Sequence, residues 1–152
     1  MRKPVWLRVA QILGMVWTSP NTVIGIVAGL VGMLFGAAVH WHRRECALIF
    51  CRMPFFRIAG VAAGALTLGN VILYTGNDLD VPCHTYAHRA GYAVELPVML
   101  ADHERAHVYQ YMALGPLFLP IYLLCGGVSA RNPFERAADR YAQSGRGWWP
   151  WK

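Results

Sequence analysis

Two long stretches of the chain contain no charged side chain. One runs from Val9 to Val39 and the other from Ile58 to Asn77. A helix needs about 20 consecutive apolar residues to cross the roughly 30 Å of hydrocarbon in a bilayer, and both stretches reach that length. The pattern therefore predicts two membrane-spanning helices, at about residues 21–40 and 55–75, which form an N-terminal transmembrane hairpin.

Small residues recur within both predicted spans. They are Gly25, Gly29, Gly32 and Gly36 in the first span, and Gly60, Gly64 and Ala65 in the second. Small residues four positions apart let two helix backbones approach closely in lipid, so they favour a tight pairing of the two helices. Before them, residues 4–17 mix Arg8 and Gln11 with apolar side chains, which predicts a short helix lying in the membrane interface.

The second half of the chain has a different pattern. Residues 76–97 contain turn residues and, between Tyr86 and Leu96, short pieces compatible with an edge strand or hairpin. A helix is predicted to begin near Val98 and to end or bend at Gly115-Pro116. A last helix is predicted to begin at Asn132-Pro133, because asparagine caps helices and proline suits the first turn.

Composition supports a membrane protein. Of the 152 residues, 56% are hydrophobic and 14% are charged, which is too apolar for an ordinary soluble domain. We therefore predict a mainly α integral membrane protein, with residues 1–75 as interfacial helix and transmembrane hairpin and residues 76–152 as a small helical domain. The four cysteines show no CxxC spacing and are predicted to be free thiols.

The net charge of +6 comes mainly from arginine. On a soluble chain that balance suggests nucleic acid, but here the arginines lie beside the apolar segments. Lipid headgroups explain this placement better, so the predicted partner is the lipid bilayer, with no nucleic acid. Basic residues lie on both sides of the first span, so the charge pattern leaves the membrane orientation undecided.

Residues 103–107, His-Glu-Arg-Ala-His, carry the clearest chemical signal. On a helix, His103 and His107 project from one face and can hold a single Zn²⁺. Glu104 is then placed to act as general base toward a water on the metal, whose pKa zinc lowers to about 7. The alternative is a helix whose histidines only form hydrogen bonds in a polar cleft.

A catalytic zinc site usually has three protein ligands and one open position. The natural third ligand is Glu135, and Asp139, one turn later, can accept a hydrogen bond from a ligand histidine. An ordinary capped helix with surface charges explains the same two residues. If Glu135 meets His107, residues 108–128 must leave the site and return, so we predict a re-entrant or interfacial helical hairpin there and not a third span.

Together, the HExxH motif and the later pair Glu135 and Asp139 resemble the gluzincin metallopeptidases. The similarity is greatest to the membrane-embedded group that includes HtpX-type and CAAX prenyl endopeptidases, and it covers residues 98–142. The resemblance implies a zincin-like domain with zinc ligands His103, His107 and Glu135, a general base Glu104, and Asp139 orienting a ligand. Arg105 stands where that family has an uncharged residue, and the chain is short for the group, which suggests a small branch.

Other candidate residues are less specific. His84 and His88 lie four residues apart beside Cys83. They are either a second metal site, donors of a hydrogen bond to a transition state, or polar loop residues. Tyr109 either polarises a substrate carbonyl or packs in the core. Residues 84–96 would offer an edge strand to an extended substrate.

The leading hypothesis is a zinc-dependent membrane metallopeptidase, a hydrolase that cleaves a peptide or a membrane protein at or near the bilayer surface. Its expected location is a bacterial inner membrane. A second hypothesis is a non-catalytic membrane protein with a structural zinc, in which Arg105 blocks or occupies the open position. A third is a membrane adaptor without metal, whose small-residue helices pair with a partner. The pattern predicts neither the oligomeric state nor a particular substrate.

Overall fold

The computed structural model describes residues 4–42, 46–54 and 64–151. The helices are α1 (Val5–Trp17), α2 (Ser19–Met33), α3 (Tyr86–Arg89), α4 (Leu100–Leu114), α5 (Phe118–Leu124) and α6 (Pro133–Ser144), with a 3-10 turn at Gly115–Leu117. The strands are β1 (Ala38–His42), β2 (Ala47–Cys51), β3 (Ala65–Leu68), β4 (Val71–Tyr74), β5 (Pro82–Cys83) and β6 (Val98–Met99). α4 packs against both β3 and α6, and this position makes it the centre of the site.

Four strands form one mixed sheet in the order β1-β2-β4-β3. β2 and β4 run parallel, and the other neighbours run antiparallel. The two residues Gly69 and Asn70 join β3 to β4, and Gly69 adopts a φ of +63°, which glycine accepts readily. β3 therefore lies at the edge of the sheet, beside α4.

Residues of β4 alternate between two apolar clusters. Ile72 belongs to a cluster that includes Val108 of α4. Val71 belongs to a second cluster that includes Phe50, with Ile26 of α2 packed against it. Because helices cover both faces, all four residues of β4 are buried. The sheet is held between α2 and α4.

The predicted fold class is wrong, because neither predicted span is one continuous helix. Within residues 21–40, α2 ends at Met33 and β1 begins at Ala38. Within residues 55–75, β3 and β4 form a hairpin, and residues 55–63 lie outside the described part of the chain. A central strand covered on both faces is apolar throughout, so its sequence looks like part of a span. The protein is a mixed α/β structure rather than a mainly α one.

Within the described ranges, no single helix is both long enough and apolar enough to cross a membrane. α1 and α2 pass that test only as a pair, and the chain bends by 66° between them. This finding corrects the prediction of an integral membrane protein in a bacterial inner membrane. The uncharged stretch from Val9 to Val39 reaches spanning length only because it combines parts of α1, α2 and β1.

The small residues of α2 pack against the sheet instead of against another helix. A Cβ added at Gly25 would lie 2.7 Å from the Cβ of Val71, and one at Gly29 would overlap the ring of Phe50. α2 therefore approaches the sheet this closely only because those positions carry no side chain. The glycine spacing does mark a close backbone approach, but its partner is a sheet. Gly60 of the second predicted span lies outside the described residues.

In the second half of the chain, the predicted helix starts and the predicted bend are confirmed. α4 begins at Leu100, close to the predicted start, and α6 begins at Pro133. The predicted bend at Gly115-Pro116 is the 3-10 turn. The strand predicted between Tyr86 and Leu96 is wrong, because Tyr86–Arg89 is helical and residues 90–96 belong to no strand. The domain boundary after residue 75 stays a prediction.

Candidate metal centre

Two helices bring the predicted site residues together. α4 supplies His103, Glu104 and His107, and α6 supplies Glu135 and Asp139. After α4 ends, the 3-10 turn and α5 lead the chain away, and the following loop returns it so that α6 packs along α4. The predicted departure and return of residues 108–128 is thus observed as a helix, a turn and a second short helix.

Asn132 sets the start of α6. Its side-chain oxygen accepts a hydrogen bond from Phe134 N at 3.0 Å, which satisfies a free N–H group of the first turn. Its Nδ2 donates to the carbonyls of Tyr122 at 3.1 Å and Gly127 at 2.6 Å. The fully buried Asn132 therefore ties α6 to the end of α5 and holds Glu135 against α4.

Three side-chain atoms meet at the centre of the site. His103 Nε2 lies 3.1 Å from Glu135 Oε2 and 3.2 Å from His107 Nε2. His107 Nε2 lies 3.4 Å from the same Glu135 oxygen. His103 is 5% exposed, His107 is 7% exposed and Glu135 is 3% exposed. They form a buried group that could hold a metal ion, as the spacing predicted.

The outer nitrogens of both histidines are already engaged. His103 Nδ1 lies 2.9 Å from Asp139 Oδ1, and His107 Nδ1 lies 2.8 Å from Gln110 Oε1. An ionised carboxylate and an amide oxygen only accept hydrogen bonds, so each Nδ1 carries a hydrogen and donates it. In the neutral imidazoles each Nε2 therefore presents its lone pair to the centre of the site.

Gln110 is oriented by two further hydrogen bonds. Its Nε2 donates to the carbonyl of Phe134 at 3.1 Å and to that of Trp148 at 2.9 Å. Both amide hydrogens are thus used, and the oxygen is turned toward His107. Because Trp148 lies in the C-terminal tail, this bond connects the tail to the orientation of a potential metal ligand. Gln110 is fully buried, so these partners replace the water that it would otherwise bind.

The lone pairs of two imidazole nitrogens and one carboxylate oxygen thus converge. Atoms that only accept hydrogen bonds repel one another at such separations unless a proton or a cation lies between them. Neutral imidazole nitrogens and an ionised carboxylate are also the donor set that binds metal cations in proteins. Either protons on the imidazoles or a bound metal cation would therefore stabilise the group, and its atoms lie close enough to hold a metal ion.

The second carboxylate oxygen of Glu135 accepts a hydrogen bond from a residue outside the group of three. Tyr122 donates its hydroxyl hydrogen to Glu135 Oε1. Burial and the charge of Glu135 raise the pKa of Tyr122 above its usual value, so the phenol remains a donor. This contact leaves Oε2 as the oxygen that faces both histidines.

The electrostatics of the group follow from its burial and its ion pairs. Burial lowers the pKa of His103, but hydrogen bonds with Asp139 and Glu135 outweigh it and raise the pKa well above its usual value. Burial also lowers the pKa of His107, and Glu135 again raises it overall. Burial raises the pKa of Glu135, but the charges and hydrogen bonds of the two histidines lower it overall. Without a metal, protons on the histidines balance the ionised Glu135.

Glu104 faces a cleft beside this group. Its Oε2 accepts a hydrogen bond from Thr67 Oγ1 of the edge strand β3 at 2.6 Å. The cleft has a volume of about 80 Å³ and also contains Tyr86 of α3 and Tyr122 of α5 in its walls. That volume accommodates water molecules, since one water needs at least about 10–15 Å³ on this measure. The potential metal ligands are therefore buried but open on one side.

The less specific candidates do not line the metal cleft. His84 and His88 stack on each other, with ring centroids 4.2 Å apart and planes at 14°. Among the described residues they belong to no set of three potential metal ligands. Tyr109 packs edge-on against Tyr141 and Trp148 and is not part of the cleft wall. The positions of these three residues do not test the roles predicted for them, so those roles stay predictions.

Several residues of the site were not predicted from the sequence. They are Thr67, Tyr86, Gln110 and Tyr122. Only Gln110 could have been found by spacing, because it follows His107 by three positions and so lies on the same helix face. The other three come from separate elements, and no local pattern connects them to the motif.

Arg105 does not enter the cleft. Its Nη2 lies 2.9 Å from Asp102 Oδ1, and its guanidinium lies 6.0 Å from the ring of Tyr141. It is absent from the residues that line the metal cleft. The idea that Arg105 occupies an open metal position therefore has no support in this geometry.

The candidate functional site is thus a buried group of two histidines and one glutamate, which lies beside a second glutamate in a small cleft. The metal it would hold is not identified by this geometry alone. In comparisons with known proteins, no family model, no curated protein and no solved structure matches this chain.

Proposed function

We propose that this protein is a zinc-dependent metallopeptidase of the gluzincin type, which hydrolyses peptide bonds. The observation that carries the proposal is the convergence of His103 Nε2, His107 Nε2 and Glu135 Oε2 within 3.4 Å beside Glu104. A zinc ion bound there would act as a Lewis acid and would lower the pKa of a bound water to about 7.

The donor set fits zinc better than other common divalent ions. With ligand distances of about 2.0–2.1 Å and tetrahedral angles, neighbouring donor atoms around zinc are separated by about 3.3 Å. The three separations here are 3.1, 3.2 and 3.4 Å. Calcium and magnesium prefer six or more oxygen ligands. Three protein donors also favour a catalytic over a structural zinc, because structural sites are usually closed by four.

Glu104 is suited to the role of general base. It follows His103 directly on α4 and belongs to the wall of the cleft. Thr67 engages its Oε2, which leaves Oε1 to take a proton from the attacking water and to return it to the leaving amine. The hydrogen bond from Thr67 also restricts the rotation of the carboxylate, so we assign Thr67 as a positioning residue.

Tyr86 is the best placed donor for a developing oxyanion. It lies in the wall of the metal cleft, with its ring centroid 6.2 Å from that of His103. Burial and the charge of Glu135 raise the pKa of Tyr86 to about 12, so its hydroxyl stays protonated at neutral pH. A protonated phenol at this position can donate to the carbonyl oxygen of a substrate as negative charge develops on it.

The edge strand β3 supports a peptide as the substrate. Thr75 N donates to Gly64 O, which marks one hydrogen-bonded pair of the β3–β4 hairpin. Because such pairs alternate along an antiparallel ladder, Ala65 and Thr67 direct their backbone groups away from β4. Both residues also line the metal cleft. An extended peptide can add to this edge and lie across the metal group, which is the role expected from the sequence for residues 84–96.

The decisive experiment compares Glu104→Gln with the wild type. Both proteins should bind one zinc ion per chain, measured by metal analysis after dialysis. Wild type should cleave members of a fluorogenic peptide library, and Glu104→Gln should lose at least about a hundredfold in kcat/KM because it cannot carry the proton. Asp80→Asn is the matched control, because it removes an exposed carboxylate that lies outside the cleft.

Three outcomes separate the hypotheses. Zinc binding with cleavage that depends on Glu104 supports the peptidase. Zinc binding without cleavage of any library member would favour a structural metal site. If the wild type binds no zinc, the metal proposal fails.

A further inference from the structure

A second and larger cleft lies beside the metal cleft. Its volume is about 490 Å³, compared with about 80 Å³ for the metal cleft. Arg131, Arg136 and Arg140 line it, and we call it the arginine cleft. Arg131 precedes α6, and the other two lie one turn apart on that helix. Three positive charges therefore surround one open space.

Within the described part of the chain, these three guanidinium groups have no acidic partner. Among residues 4–42, 46–54 and 64–151, none of them forms an ion pair with a carboxylate. Arg131 and Arg136 are exposed, and Arg140 is half-buried and donates to the carbonyl of Trp149 at 3.3 Å. The hydrogen bond to a neutral carbonyl leaves the charge of Arg140 uncompensated.

Two carboxylates, Glu95 and Asp139, also line the arginine cleft, and each accepts a hydrogen bond. Glu95 Oε2 accepts a hydrogen bond from Thr85 Oγ1 at 2.6 Å. Asp139 Oδ1 accepts one from His103 Nδ1 at 2.9 Å, where it balances the charge of the metal group. The three guanidinium groups outnumber the two carboxylates, and Asp139 directs Oδ1 toward His103, so the cleft has an excess of positive charge.

The two clefts share their walls. α3 contributes Tyr86 to the metal cleft and the next residue, Ala87, to the arginine cleft. α6 contributes Glu135 to the metal cleft and Arg136 to the arginine cleft. Asp139 lines the arginine cleft while its carboxylate holds a histidine of the metal group. A chain that lies over the metal group and continues past α3 therefore enters the arginine cleft.

We propose that the arginine cleft binds a carboxylate of the peptide substrate, either an acidic side chain or the C-terminal carboxylate. This inference rests on the proposed peptidase function. Three guanidinium groups around one space repel one another, and a bound carboxylate relieves that repulsion. The planar guanidinium also matches a carboxylate with two parallel hydrogen bonds. The cleft thus gives the enzyme a preference for acidic substrates.

The test uses full-length, zinc-loaded protein and a set of matched peptides. Each peptide carries Glu or Gln at one scanned position and a free or amidated C-terminus. We expect one acidic position, or the free C-terminus, to raise kcat/KM by about tenfold. The double variant Arg131→Gln/Arg136→Gln should abolish that difference, whereas Arg8→Gln, an exposed arginine on α1, should preserve it. Glutamine keeps much of the side-chain length and both positions are exposed, so folding should be retained.

A binding measurement separates this inference from the proposed function. Calorimetry with zinc-loaded Glu104→Gln measures the affinity for the same peptides without turnover. Tighter binding of the acidic peptide, lost in the arginine variant, supports the inference even if no peptide is cleaved. Cleavage of acidic and neutral peptides at equal rates would overturn it while leaving the peptidase intact. Inorganic phosphate can serve as a competitor. Displacement of the acidic peptide by phosphate would support the inference. An equal effect of phosphate on peptide binding to the wild type and to the arginine variant would overturn it.

Discussion

The metal centre and the N-terminal helices are built in opposite ways. At the metal centre, titratable side chains are buried, with Glu104 5% and Glu135 3% exposed. On α1 and α2, large apolar side chains face outward, with Leu13 64% and Ile24 56% exposed. Polar groups inside and apolar groups outside reverse the usual arrangement of a folded protein.

Hydrogen bonding explains why the chain itself can compensate the buried polar groups but not the exposed apolar side chains. Buried polar groups are costly unless they have partners. Asp139, Gln110, Tyr122 and Thr67 supply those partners at the metal centre. An exposed apolar side chain has no comparable compensation, and extended apolar surface is typical of an interaction surface. The polar groups of the metal centre therefore have partners within the chain, whereas the outer face of α1 and α2 leaves its apolar side chains exposed.

The strongest test of the metal centre is Glu135→Gln. The amide keeps the size of the side chain but removes the charge, so we expect zinc affinity to fall by at least about a hundredfold. Competition with a chromophoric chelator measures this loss. Glu95→Gln, the same change in the arginine cleft, should bind zinc as the wild type does. Equal affinity of Glu135→Gln and wild type would remove Glu135 from the ligand set.

A smaller effect is expected for Gln110→Leu. This change removes the partner of His107 Nδ1, and losing such a partner typically lowers metal affinity by about 10–100-fold. It also removes the hydrogen bonds that Gln110 donates to the carbonyls of Phe134 and Trp148, which should reduce the free energy of unfolding by about 1–3 kcal/mol. Chelator competition and urea unfolding measure the two effects separately, and the exposed Gln143→Leu is the control. A loss of stability with unchanged zinc affinity would restrict Gln110 to a structural role.

The raised pKa values of His103 and His107 predict opposite pH trends with and without zinc. In metal-free protein, stability from the histidine protons is fully present below about pH 6.5 and is lost as the pH rises through the raised folded-state values. The lowered pKa of Glu135 adds stability above about pH 4.3, lost as the pH falls through its folded-state value.

Zinc must displace the same histidine protons. Its affinity should therefore increase as the pH rises toward the raised histidine values, by about tenfold per pH unit for each proton displaced. Thermal unfolding across pH, with zinc and with a chelator, measures both trends. A metal-free protein that becomes more stable as the pH rises above neutrality would contradict the assigned proton positions.

The contrast between buried and exposed apolar side chains can be tested by changing valine to alanine at two positions. Val71 is fully buried in β4, and Val27 of α2 is 55% exposed. Val71→Ala should cost about 2 kcal/mol of unfolding free energy because it leaves a cavity, and Val27→Ala should change it by less than about 0.5 kcal/mol. Urea unfolding measures both. An equal loss for Val27→Ala would mean that the outer face of α2 is covered in solution.

The predictions that succeeded concern residues within one element. The spacing of His103 and His107 determines that both project from one helix face, whatever surrounds the helix. Asn132 and Pro133 mark a helix start for reasons that depend only on the local backbone. Glu135 is the exception, since it was predicted as the third ligand from the helix that follows the motif, and it joins the two histidines in a group that could hold a metal ion.

The predictions that failed concern where apolar segments are buried. Val71–Tyr74 is apolar because helices cover both faces of its sheet, and a lipid environment would select the same residues. The spacing of Gly29 indicates a close approach in either case, but only the fold shows that its neighbour is the ring of Phe50.

The sequence by itself determined the helix that carries the two histidines and Glu104, and the helix that carries Glu135 and Asp139. Its local spacing decides which side chains share a face, because that depends only on helix geometry. The tertiary structure alone decided that Thr67 holds Glu104, that Tyr122 holds Glu135, and that three arginines line a second cleft beside the metal cleft. Contacts between distant elements follow from how those elements pack, and no short stretch of the sequence contains that information.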